Sequence, residues 1–105
     1  NNEMFSDCRS LKTVKLYNGI TKLNYGMFSG CVKLQKVNIP KKCTYIGINT
    51  FRNCKSLRKL TIPKSVKKIA KTAFRGCKKL TLYVKKGSYA HKYAKKYHIK
   101  YKLVK

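Results

Sequence analysis

Hydrophobic positions along the chain recur every 23 residues. Phenylalanine occurs only at Phe5, Phe28, Phe51 and Phe74, and four of the five cysteines keep the same step at Cys8, Cys31, Cys54 and Cys77. Leu11, Leu34, Leu57 and Leu80 follow in register. Val14, Val37 and Leu60 continue it, as do Leu16, Ile39 and Ile62. Later in each unit come Ile20, Cys43 and Val66, then Leu23, Ile46 and Ile69. The non-apolar positions hold the same register. Asp7, Gly30, Asn53 and Gly76 form one column, and both prolines, Pro40 and Pro63, share another with Tyr17. Such self-similarity points to a repeat architecture, because a unit this short cannot bury its apolar edge without a neighbour stacked on it.

Within each unit the segment L-x-x-[VL]-x-[LI] alternates and predicts a short strand. Val14 and Leu16 face one side, and Thr13, Lys15 and Tyr17 the other. Pro40 and Pro63 end the ladder, since proline has no N–H to donate. The pair Ile20 and Leu23, repeated as Cys43 with Ile46 and Val66 with Ile69, predicts a brief extended or helical wall on the far side of the coil. One helical turn is expected around Phe28 and Cys31. The Asp/Gly/Asn/Gly column would end that turn, because these residues best tolerate φ > 0. Stacked units would pair their strands in parallel at about 4.8 Å, with Phe, Cys and Leu as core ladders. Four coils are expected, with those columns buried throughout and weakening only at the first.

The register breaks after Leu80: Leu82 and Val84 come one residue early relative to Leu60 and Ile62. Gly87 and Ser88 then open a helix with Ser88 as its N-cap. Tyr89, Ala90, Tyr93, Ala94 and Tyr97 give it an apolar stripe. Ile99, Tyr101 and Leu103 alternate with Lys100 and Lys102, as in an edge strand guarded by charge. The chain therefore divides into repeats over residues 1–84 and a capping segment over 85–105. At the other end the chain starts inside a unit, with Asn rather than Met as residue 1. The first coil lacks its back wall, so either further repeats or a partner is expected to cover it.

The F-x-x-C-x-x-L-x-x-[VL]-x-[LI]-P cores and the [IV]-x-x-[IL] segments resemble the BspA-like leucine-rich repeats, also called the Treponema pallidum type. The resemblance covers residues 4–84, and Gly87–Lys96 is similar to the usual ending of such arrays. It implies an α/β repeat solenoid: short parallel strands, short helical turns and a C-terminal helix–strand cap. It also implies adhesion or protein binding, in bacterial surface or secreted proteins and some parasitic protists.

Charge sharpens this picture. The chain carries 27 Lys plus Arg against 2 acids, a formal net charge of +25. With 43% apolar residues it has enough for a core, which argues against wholesale disorder. Its longest apolar run is far too short to span a membrane, so no membrane insertion is expected. Glu3 and Asp7 are the only carboxylates. No carboxylate pair, Ser-His-Asp set or phosphate-cradling glycine loop is present, and catalysis, cofactors and a small-molecule substrate are not expected. Four of the five cysteines lie 23 apart, and there is no C-x-x-C pair. We read them as free thiols serving as small apolar filler, with disulfides and metal as alternatives that a stacking distance of about 5 Å leaves open. His91 and His98 are read as exposed surface residues. The cap tyrosines, interleaved with lysine, are read as core packing rather than as base-stacking platforms.

Two functions are compatible with these features. The first is a protein-interaction and adhesion module, extracellular or at the cell surface, with a host surface protein among its possible partners. Its binding face would be the outward strand positions Thr13, Lys15, Tyr17, Lys36, Asn38, Lys59, Thr61 and Tyr83, with Thr81 in the same columns. The second is binding of an acidic polymer: a glycosaminoglycan, an anionic cell-wall polymer or a nucleic acid. Lysine outnumbers arginine 23 to 4 and spreads over nearly every surface column. This argues against tuned phosphate or base recognition, which favours the bidentate arginine fork.

Overall fold

The computed structural model describes residues 4–104, so Glu3 lies outside the described residues. Two parallel walls run up the stack. The front wall contains β1 (Thr13–Val14), β3 (Lys36–Val37), β5 (Lys59–Ile62) and β7 (Thr81–Lys85). The back wall is a three-stranded sheet of β2 (Lys22–Leu23), β4 (Tyr45–Ile46) and β6 (Lys68–Ile69). The register follows the sequence period, with Lys22 opposite Tyr45 and Tyr45 opposite Lys68. The early Leu82 is matched in space as well: Lys59 pairs with Thr81 and Leu60 with Leu82. The Ile20–Leu23 wall and its repeats are thus extended rather than helical.

Where a helical turn was expected around each Phe and Cys, the described residues contain none. From Gly26 to Cys31 the N–H groups alternate in direction. Those of Met27, Ser29 and Cys31 bond back to Asn24, Gly26 and Phe28 at 3.0–3.2 Å, closing four-residue turns. Those of Gly26, Phe28 and Gly30 bond forward to Ile48, Thr50 and Arg52 of the next coil at 2.7–2.9 Å. A helix would use every N–H within its own segment. Here a carbonyl of the next coil lies within reach, and every second N–H takes it. The column that ends each turn is left-handed, as the sequence predicted: φ is 58° at Asp7, 80° at Gly30, 60° at Asn53 and 85° at Gly76. Asp7 projects its carboxylate over Gly30, and Asn53 its amide over Gly76, into space that a Cβ at either glycine would need.

The core is a stack of ladders. Successive Phe rings lie 5.4, 5.4 and 5.5 Å apart at interplanar angles of 6°, 14° and 5°. Phe28, Phe51, Leu34 and Leu57 are fully buried. The cysteines do more than fill space. Cys31, Cys54 and Cys77 each donate their thiol to the Phe carbonyl of the preceding coil, at 3.0, 3.3 and 2.9 Å. All five cysteines are free. Burial pushes the Cys31 and Cys43 thiols above their ordinary range. The neighbouring Cys77 side chain, and then burial, does the same for Cys54. The expectation that the ladders weaken only at the first coil needs correcting. Phe5, Cys8 and Leu11 are half-buried, but so is Cys77, at the last repeat.

Helix α1 (Tyr89–Lys96) begins at Ser88, whose hydroxyl accepts the His91 N–H at 3.2 Å. The chain then returns as β8 (Tyr101–Val104), parallel to β7. The segment after β7 is therefore a strand–helix–strand crossover that lays one more coil on the stack. Tyr93 meets the end of the Phe ladder edge-on, 6.3 Å from Phe74, and is buried, with its hydroxyl on the Ala70 carbonyl at 2.8 Å. Burial, and then its tyrosine neighbours, raises that phenol above its ordinary range. His91 is half-buried and accepts the Gly87 N–H at 3.0 Å, whereas His98 is exposed as expected. Leu103 shares the face of the buried Val84 but is half exposed, because β8 is the edge of the sheet.

Candidate partner-binding face

The front wall is not one continuous sheet. β1 pairs with β3, and β5 with β7 and β8, but among the described residues no backbone hydrogen bond joins β3 to β5. Asn38 belongs to the upstream half. Its amide bridges the Leu16 backbone, taking the Leu16 N–H and donating to the Leu16 carbonyl at 3.1 Å. Asn38, expected as a free contact residue, is thus already hydrogen-bonded within the fold.

A groove of about 1110 Å³ lies over the split. Val14, Val37, Ile39 and Pro63 supply its apolar part. Val14 and Val37 are only half-buried, whereas Leu60, one coil along in the same column, is fully buried. Lys15, Lys36, Arg58, Lys59 and Lys79 surround these residues. A second pocket of about 1020 Å³ shares Lys41, Thr61 and Pro63 with the groove and extends towards the first turn of α1. Its charged lining is wholly lysine: Lys41, Lys64, Lys67, Lys85, Lys86 and Lys92. No carboxylate lines either. With no opposite charge between them, these cations leave a strongly positive field over the front of the molecule.

The eight positions singled out from the sequence separate into two groups. Lys15, Lys36, Asn38, Lys59 and Thr61 line the groove, while Thr13, Tyr17 and Tyr83 lie outside its lining. Tyr17 is 76% exposed, with its ring lying over Gly19. Thr81 is buried, beside the chain that returns from α1 to β8 and whose Lys100 carbonyl takes the Leu82 N–H at 2.9 Å. Sequence reasoning missed Val37 and Ile39 as lining residues. The column pattern places Val37 and Ile39 in the core; Ile39 is buried there, and Val37 is left partly exposed beside the split.

A third, polar pocket of about 560 Å³ shares no residue with the other two. Asp7, the one described carboxylate, lies there with Arg52 and Arg75. Arg52 Nε donates to Ser29 Oγ at 3.2 Å. These two arginines stand 23 residues apart, a spacing that the sequence already displayed.

Among the described residues no group of His, Cys, Asp and Glu gathers into a metal-holding cluster, and no helix is long and apolar enough to cross a membrane. No curated protein and no solved structure matches the chain. A family model does: the one describing a BspA type leucine rich repeat region of six copies, over residues 1–98. Repeats of this type form protein-interaction scaffolds, typically non-enzymatic, in proteins that are generally bacterial and surface-exposed or secreted. Stacked parallel strands, a 23-residue period and a family match over nearly the whole chain make this protein a member of the BspA-type leucine-rich repeat family.

Proposed function

We propose that this chain is a protein-interaction and adhesion module of a surface or secreted protein, and that its partner docks on the front wall. The repeats over 1–84 supply the face, and 85–105 closes the end of the stack. The observation that carries this reading is the groove over the β3–β5 split. It offers exposed aliphatic surface within a ring of charge, the mixture that a protein surface can match. A host surface protein is the partner that the family's adhesive members suggest.

The test uses two variants of equal net charge. Lys36→Glu with Lys59→Glu alters the groove, and Lys22→Glu with Lys68→Glu alters the back wall. The immobilised chain is challenged with solubilised host cell-surface proteins in about 0.3 M NaCl, where exposed charges interact only over a few ångströms. Retention of a defined protein should survive the back-wall change and be lost with the front-wall change. Equal loss with both would mean that charge alone, and not this face, holds the partner.

The lysine-lined pocket beside α1 favours a second reading, binding of an acidic polymer. Salt separates the two readings. Six or more polyanion contacts would weaken binding by roughly 10³–10⁵ between 50 and 200 mM salt, far more than a docked protein surface.

A further inference from the structure

Three features of the front wall bear on what it recognises. The first is charge. The groove and the pocket beside it are lined by lysine and arginine with no carboxylate. Asp7 sits in a pocket with none of their residues. Whatever occupies the groove must bring its own acids, or the lysines it covers lose solvent without gaining a partner. The second is the apolar part. Val14 and Val37 stay partly exposed at a place where the same column one coil on is sealed. A sulfated or phosphorylated polymer has no aliphatic side chains to bury there, whereas a polypeptide has. The third is the backbone. Along the split β3 and β5 make no hydrogen bonds to each other among the described residues. The two strands still approach within 8 Å between Cα atoms, so an extended peptide would lie over the split rather than between its edges.

From these together we infer that the groove over the β3–β5 split recognises an extended acidic segment of a partner protein in which aliphatic residues alternate with Asp or Glu. Alternation follows from strand geometry. In an extended chain successive side chains point to opposite sides, so one set meets Val37, Ile39 and Pro63 while the other meets the surrounding lysines. A glycan or a uniformly acidic polymer can satisfy only the second set. The inference rests on the proposed function and names the chemistry of the partner at the same face.

The probes are two fluorescent peptides of about ten residues, one alternating Glu and Val and one alternating Glu and Ser. At about 3.3 Å per residue they are long enough to cross the molecule, whose longest extent is 34 Å. A heparin oligosaccharide of matched charge serves as the other polymer class. Binding is read by fluorescence anisotropy in 0.15 M NaCl, with peptide concentrations below self-association. The Glu–Val peptide should bind at least about tenfold more tightly than the Glu–Ser peptide, the margin expected from covering one or two aliphatic side chains. Val37→Thr, which keeps the shape and removes apolar surface, should erase most of that margin. The Lys36→Glu, Lys59→Glu variant should lose binding of both peptides, and the Lys22→Glu, Lys68→Glu variant should retain it. If Val37→Thr does not fold by circular dichroism, the peptide comparison and the two charge variants decide. Equal affinity for the two peptides, or a heparin oligosaccharide that binds more tightly and displaces the Glu–Val peptide, would overturn the inference. If the peptides fail while the groove variant still loses its surface-protein partner, the peptide inference falls and the proposed function stands. If that variant keeps its partner, the proposed function falls.

Discussion

Phe51→Ala should destabilise the protein by about 3–5 kcal/mol, the usual range for emptying a large aromatic site in a sealed core. Phe51 has no exposed surface, and its ring is stacked on both sides, 5.4 Å from Phe28 and 5.5 Å from Phe74. In a stacked array the stability resides largely in interfaces between neighbouring coils, and this substitution damages two of them. Since whole domains are stable by only about 5–15 kcal/mol, the variant should be partly unfolded at moderate temperature. Phe5→Ala makes the informative comparison. Phe5 is half-buried and stacks on one ring only, at 5.4 Å, so less contact is lost. Urea unfolding of both variants should therefore give a much lower midpoint for Phe51→Ala. Equal midpoints would mean that the Phe ladder does not couple the coils.

The melting temperature should rise as NaCl increases from about 0.01 to 0.3 M, by an amount on the order of 5–10 °C. Lys36 and Lys59, Lys41 and Lys64, and Lys55 and Lys78 each stand one coil step apart, all exposed, and Asp7 is the only described acid. In low salt the screening length is about 30 Å, more than the width of several coils; by 0.15 M it is about 8 Å. Folding brings these like charges together, so screening helps the folded state more than the unfolded one. Lys36→Gln with Lys59→Gln should raise the low-salt melting temperature and flatten the salt response. A melting temperature independent of salt in the unaltered protein would show that the lysines are too well solvated to oppose folding.

Much of this was legible in the sequence because a repeat displays its core several times over. The Phe, Cys and Leu columns, the left-handed position at Asp7, Gly30, Asn53 and Gly76, and the one-residue advance at Leu82 all follow from register. What escaped depends on neighbours that a single coil does not reveal. The absence of a helical turn at Phe28 reflects N–H groups that reach across to the next coil. Thr50 is the one polar member of a column with Met4, Met27 and Ala73, and its hydroxyl would be expected to seek water. Yet it is fully buried, with its hydroxyl donating towards the Gly47 carbonyl at 2.8 Å and the Asn24 carbonyl at 3.0 Å. Column logic made Cys77 as buried as Cys54 and Thr81 as exposed as Lys59, and both differ because the last coil is covered by the cap rather than by another repeat. The groove itself arises from a break between β3 and β5 that the period, uniform through Ile62, could not announce.

Recognition should be confined to that break. Backbone amide shifts of the isotope-labelled protein, recorded by NMR as the alternating Glu–Val peptide is added in about 0.3 M NaCl, test it most directly, since exposed charge attraction then reaches only a few ångströms. Changes should concentrate at residues 36–39 and 58–62, with Lys22, Tyr45 and Lys68 on the back wall unmoved. Shifts spread over both walls in proportion to lysine content would contradict the claim and show a surface that attracts acids without a site.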